Sequence, residues 1–323
     1  MSELINERVS FGHGFVQARD RVRVIARFDD MAEQGSAASM LMMWGGEGRG
    51  WRHFELGWTA IRVACSDSAM FALGADGRVL VADGRGVREE RVAGSEGRGA
   101  LTDLGLVEGA PIVVGEGAQA FRRDGEDRWV ELGDGLPGGE GAPTLTAVDS
   151  AGTSETYTAG EGGAIWRLDG DRWQPIDCPT DQTLNAIRVP AAGRVLAVGQ
   201  GGVLVRGDGG RVEVSGEPAP EDLLGVEQFG ELIYASGERG IYVLGARGGL
   251  ERVHVFDGPS WTHRHLHAGG GTLWSFGNDH LIWTTDGEHW NLLRSPFQSI
   301  DPTECGPGGG ASSCGCGSEH HHH

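Results

Sequence analysis

One stretch of the chain concentrates side chains able to bind a metal or move a proton: Trp261-Thr262-His263-Arg264-His265-Leu266-His267. In an extended strand alternate side chains share a face, so His263, His265 and His267 would line one side. Neutral imidazoles two residues apart can reach one ion, and zinc is the ion such a set would take. Against this stands a plainer expectation. Equivalent stretches elsewhere in the chain carry leucine where His263 falls, so His263 would be a packed core residue and the other two would sit at a channel rim. A second group of soft donors crowds the C-terminus: Cys305, Cys314 and Cys316, then His320 to His323. Thiolates with imidazoles could capture zinc or copper(I), or the cysteines could serve for modification or tethering. A terminal histidine run is also the form of an added tag. No other motif requires a cofactor.

Other chemistries show no recoverable constellation, although 46 acids offer carboxylate pairs for a glycosidase, which stays open as a further alternative. A sialidase-type enzyme needs a tyrosine nucleophile, an acidic partner and an arginine cluster. The three tyrosines, Tyr157, Tyr234 and Tyr242, all fall in stretches that read as strands, where an aromatic is ordinary packing. The Gly-Glu/Gln-Gly turns at Gly115, Gly160 and Gly199 open no helix and so fail the context of a phosphate loop. Acidic turns at Asp124, Asp169, Asp208 and Asp286 recur one per repeat and cannot converge on a single calcium ion.

Charge narrows the partners. The chain has 27 basic and 46 acidic residues, a net charge of −19, and no lysine. Schiff-base and P-loop lysine chemistry are therefore excluded. An acidic surface repels phosphate backbones, which argues against nucleic acid and for a protein partner with a basic surface. Five cysteines, two of them isolated in the body (Cys65, Cys178), fit a reducing compartment better than a disulfide framework. No apolar run approaches the ~18 residues of a membrane span. The start shows no basic segment followed by an apolar one, so the expectation is a cytoplasmic protein.

The elements that must position these residues are repeats. Glycines at 35, 74, 115, 160, 199, 237 and 277 each mark a similar unit, 38 to 45 residues apart. Each unit reads as four short strands. The first carries Leu-x-x-aliphatic (Leu101/Leu104, Leu145/Val148, Leu184/Ile187, Leu223/Val226), with Trp58/Ile61 and His263/Leu266 as variants. The second ends at the marker glycine, the third follows a Gly-rich turn, and an Asp-Gly turn leads to the fourth. Four strands per ~40 residues is the blade of a β-propeller, and seven markers predict seven blades. Each blade has two apolar faces that its neighbours must cover, so the ring must close. Arg8-Val9-Ser10-Phe11 is a candidate to pair with the last outer strand, His289-Trp290-Asn291-Leu292-Leu293.

The pattern Gly-x-x-Gly-aliphatic-x-x-x-x-Asp-Gly-x-x-Trp resembles the BNR (Asp-box) and photosystem II assembly factor-like propeller repeats. Thr284-Thr285-Asp286-Gly287-Glu288-His289-Trp290 and Asp169-Gly170-Asp171-Arg172-Trp173 carry it best, and the resemblance spans residues 14–293. In the strict Asp-box the glycine stands two residues after the Asp and the aromatic five after; here they stand one and four after. The resemblance thus implies the assembly-factor-like group, a non-enzymatic propeller that binds proteins.

The sequence therefore predicts an all-β, seven-bladed β-propeller of four-stranded blades over 1–293, with a flexible Gly/Cys/His-rich tail over 294–323. The leading functional expectation is a non-catalytic scaffold, an assembly or accessory factor that binds a protein on one face. Loops at 93–100 and 134–143 would vary that surface. The alternatives are an acidic inhibitor or immunity-type protein for a basic toxin, and a metal-binding protein using the histidine strand or the tail.

Overall fold

A computed structural model describes residues 9–29, 38–208, 210–255 and 261–296. Residues 297–323 of the predicted tail, with Cys305, Cys314, Cys316 and the terminal histidines, together with Arg8 and the marker Gly35, lie outside the described residues.

The chain forms seven consecutive four-stranded antiparallel sheets. Blade 1 holds β1 (Val9–Ala18), β2 (Arg21–Phe28), β3 (Ser39–Trp44) and β4 (Trp51–Leu56). Blade 2 holds β5 (Ala60–Cys65), β6 (Ala69–Gly74), β7 (Arg78–Asp83) and β8 (Gly86–Arg91). Blade 3 holds β9 (Leu101–Val107), β10 (Ala110–Gly115), β11 (Ala120–Gly125) and β12 (Arg128–Glu131). Blade 4 holds β13 (Leu145–Ser150), β14 (Thr156–Gly160), β15 (Ile165–Asp169) and β16 (Arg172–Ile176). Blade 5 holds β17 (Leu184–Ala191), β18 (Arg194–Gly199), β19 (Leu204–Asp208) and β20 (Arg211–Val214). Blade 6 holds β21 (Leu223–Phe229), β22 (Leu232–Gly237), β23 (Ile241–Leu244) and β24 (Leu250–Arg252). Blade 7 holds β25 (His265–Gly269), β26 (Thr272–Phe276), β27 (Leu281–Thr284) and β28 (Trp290–Leu293). The first strand of each blade packs against the first strand of the next, and β25 returns to β1, so these seven strands enclose a central channel.

Strand alternation explains the ring. In β18, Val195 and Ala197 face blade 4, whereas Leu196 and Val198 face blade 6. In β10, Val113 faces blade 2, and Ile112 and Val114 face blade 4. Both faces of a blade are thus apolar, and each of the seven seams holds its own cluster of buried side chains. At ~25 cal/mol per Å² of apolar surface, no blade could keep these faces in water alone.

The marker glycines do not work by positive φ. Gly199 is extended (φ −165°), and a Cβ on it would strike the carbonyl of Thr183, in the connection that enters the same blade. The left-handed turn falls instead on Gly201 (φ 63°), inside a single 3-10 turn. Gly115 and Gly160 repeat this arrangement against Ala100 and Thr144.

Closure differs from the expectation. β1 is the innermost strand of blade 1 and pairs with β2, while among the described residues β28 pairs only with β27. Each blade takes its four strands from one contiguous stretch, and among the described residues no strand is left over to exchange. Side chains join the ends instead. Trp274, Phe276 and Leu281 pack with Phe11, Val24, Phe28 and Met40. The Arg19 guanidinium lies 4.2 Å from the Trp283 ring centroid. The Phe11 amide donates to the Asn278 carbonyl at 2.8 Å.

Candidate functional site

The channel holds a cavity of about 340 Å³ lined by the first strands of all seven blades. Its wall is polar because each first strand turns one polar side chain inward, and each spans a seam. His13 Nδ1 accepts the Val63 amide from blade 2 at 3.3 Å. Arg62 Nε donates to Asp103 at 2.6 Å, and Asp103 accepts the Val148 amide at 2.8 Å. Asp149 accepts the Val189 amide at 2.7 Å. Arg188 donates to Glu227 at 2.5 Å, and Glu227 accepts the Ala268 amide at 3.1 Å. His267 Nδ1 accepts the Val16 amide at 3.3 Å. All seven seams are bridged in this way. Thr102 and Asn185 add a second layer, donating to the carbonyls of Leu145 at 2.5 Å and Leu223 at 2.8 Å.

The electrostatics follow from enclosure. Burial pulls the imidazoles of His13 and His267 well below the usual histidine range. Burial, then the Arg188 and Arg62 charges, bring His265 down to about 3. Burial raises the Asp149 carboxyl, against the opposing charge of Arg188 and the Val189 amide. Burial disfavours the Arg188 cation, but Glu227 and Asp149 outweigh it and raise its pKa.

The predicted histidine strand divides. His265 stacks on His13 at 3.9 Å between ring centroids and bonds the Gly14 carbonyl through Nε2 at 3.0 Å. His267 lies 4.3 Å from Phe15. His263 instead leaves the channel. It is buried, bonds Ser275 through Nδ1 at 2.9 Å, and meets His280 edge-on at 5.1 Å. The expectation of one packed and two channel-facing histidines matches this placement. Among the described residues, no three His, Cys, Asp or Glu side chains stand where they could hold one metal ion. Two of the lone pairs a metal would need are already taken by backbone amides. Cys65 is buried and Cys178 is half-buried, both as free thiols. Tyr157, Tyr234 and Tyr242 are buried in seams, as ordinary packing residues are. Asp286 accepts the Glu288 and His289 amides and the His289 ring at 2.8–2.9 Å, which holds its carboxyl far below the usual range. That is a turn, not a calcium site.

His13, Arg62, Asp103, Asp149, Arg188 and Glu227 were not singled out from the sequence. A signal was present. Arg62, Asp149, Arg188, Glu227 and His267 each stand four residues after the first member of the Leu-x-x-aliphatic pair or its variant.

The turns between second and third strands lie at one end of the channel. They expose Asp76, Glu116, Glu161, Glu238 and Asp279. Connections between blades lie at the same end and expose Glu96, Asp134 and Glu140. Among the described residues, neither Glu116 nor Glu161 has an ion-pair partner, whereas Asp76 pairs with Arg78 at 3.0 Å and Glu238 with Arg264 at 2.9 Å. No described helix is long and apolar enough to cross a membrane.

Fold and wall together define a seven-bladed β-propeller with a polar, side-chain-bridged channel. Solved propellers superpose on it. Virginiamycin B lyase from Staphylococcus aureus does so with a TM-score of 0.67 and 13% identity, covering 88% of this chain and 94% of its own. YCF48 from Cyanidioschyzon merolae does so with a TM-score of 0.60 and 12% identity, covering 86% and 95%. At such identities the likeness is one of fold. No family model matches the chain. A curated relative does: the immune protein Tsi7 of Pseudomonas aeruginosa is 30% identical over 295 residues, covering 87% of this chain and 95% of that protein. The chain belongs to the family of Tsi7.

Proposed function

We propose that this protein is an immunity-type protein that neutralises a basic protein toxin by binding it on one propeller face. The similarity to Tsi7 along nearly the whole of both chains carries this reading. It places the inhibitor alternative ahead of the assembly-scaffold expectation. The net charge of −19 and the exposed acids at one end of the channel suit a basic partner, steering its approach and resisting anionic competitors. The Asp-box-like turns are then blade architecture shared with assembly-factor propellers. The reading makes the protein non-catalytic and places it in the cytoplasm, where a toxin's target would be protected.

Capture from native lysate of the source cells tests it. One stoichiometric basic protein should be recovered, toxic when expressed alone and harmless when co-expressed with this chain. Association should slow by at least tenfold between about 50 and 500 mM salt, as steered encounters do. A lysate without such a protein, or a partner whose toxicity persists on co-expression, removes the proposal.

A further inference from the structure

We propose that the central channel binds a small oxyanion, a phosphate or sulfate group or a low-molecular-weight carboxylate, between His13, His267 and Arg62. This site is independent of any toxin-binding face. It rests on which hydrogen-bonding groups of the wall are spent and which are not.

Each carboxylate of the wall is engaged on both oxygens. Asp103 takes the Arg62 Nε–H on one oxygen and the Val148 amide on the other. Asp149 takes the Val189 amide on one oxygen, and its other lies 3.5 Å from Arg188 Nη1. Glu227 takes the Gln228 amide on one oxygen, and Arg188 with the Ala268 amide on the other. The donors are not spent. His13 and His267 each accept a backbone N–H at Nδ1, which forces their proton onto Nε2. Among the described residues no group accepts from His13 Nε2, whereas the His267 ring has the Ala268 backbone as a further hydrogen-bond partner. Arg62 engages Asp103 through Nε and the Ile61 carbonyl through Nη1, leaving Nη2 unused. A polar cavity of about 340 Å³ with donors in surplus takes a ligand made of acceptors. The cationic groups that act on the imidazoles are the Arg188 guanidinium and, for His13 and His265, that of Arg62, while the carboxylates face backbone amides and arginines.

The same bonding disfavours a cation. A metal would need imidazole lone pairs, and those of His13 and His267 point at amides. The two ligand types differ in the sign of their pH dependence. An anion stabilises imidazolium, so its affinity rises as pH falls. A metal competes with protons, so its affinity falls.

Titration of the full chain with sodium sulfate, whose charge is constant from pH 8 to pH 6, reads that sign by calorimetry. Inorganic phosphate and citrate are run separately to distinguish a phosphate-like from a carboxylate ligand. Long-range imidazole NMR correlations locate the site. The expected result is one-site binding by at least one of the three anions. Binding should tighten at least threefold toward pH 6, with shifts at His13 and His267 Nε2 and none at the surface residue His53. His13→Gln and His267→Gln keep an acceptor for the amides, and each should weaken binding at least tenfold. Should a variant misfold, the wild-type imidazole shifts still decide. Silence of the channel histidines toward all three anions at about 10 mM, weaker than any specific site of this kind, overturns the proposal. Zinc binding at those histidines that strengthens as pH rises overturns it too.

Discussion

Arg188 faces two carboxylates, Glu227 at 2.5 Å and Asp149 at 3.5 Å, inside the channel wall. Removing one partner of such a group leaves the others unpaired in a largely enclosed wall. Arg188→Met should therefore cost about 3–5 kcal/mol, the usual penalty for breaking a buried pair, measured by urea denaturation against wild type. Arg85→Met, at an exposed pair with Glu126, should cost less than about 1 kcal/mol. At this scale the sequence was only partly legible. The histidine strand stood out because three rare residues alternate. The Arg, Asp and Glu positions around the same channel did not, because a charged residue is common anywhere on an acidic, arginine-rich chain. Alignment of the blades at the fourth residue after the first member of the Leu-x-x-aliphatic pair separates Arg62, Asp149, Arg188 and Glu227 from surface charges, and Asp103, two residues after Leu101, escapes even that.

Strands and turns were more legible, since their causes are local. Alternation in β10 and β18 follows from the need to cover two seams at once. The marker glycine was recognised from its recurrence, but its reason was hidden. Gly199 is needed because the Thr183 carbonyl occupies the space of a Cβ, a contact between segments that no local pattern reports. Gly199→Ala should destabilise by about 3 kcal/mol, as overpacking against backbone does. Gly48→Ala, with nothing within 4 Å of its would-be Cβ, should change stability by less than about 0.5 kcal/mol. Paired thermal melts check both. The closing strand was misassigned because pairing Arg8–Phe11 with the last blade assumes a blade left one strand short. No blade is, as the first sheet shows by taking β1 for itself.

Across the whole molecule, five histidines, three buried (His263, His267, His280) and two half-buried (His13, His265), gather around blade 7 and its junction with blade 1. Burial lowers all five, with His263 near 4 and His265 and His280 near 3. The unfolded chain binds protons at these sites below pH ~6.5 while the folded chain does not. Stability is thus complete above that pH and falls as the solution is acidified toward pH 3–4. At pH 5 the three histidines with stated values should together cost about 6 kcal/mol, from 1.36 kcal/mol per pH unit each. Thermal midpoints at pH 7, 6 and 5 should drop in order, and a flat profile would contradict the burial of these rings. The number of blades was legible from the repeat period. This clustering was not, because His13 lies some 250 residues from its partners in sequence.

The self-contained blades carry a consequence for how the chain can be synthesised and rewired. Each sheet can pair its own strands as soon as its forty residues leave the ribosome and is covered when the next blade follows, yet the joint between blades 7 and 1 must wait for the end of translation. If that joint is an ordinary seam where the first and last blades happen to meet, its position is arbitrary. A permuted gene that starts in the exposed stretch near Gly138, with a flexible linker joining the original ends, should yield the same ring with a near-native melting temperature.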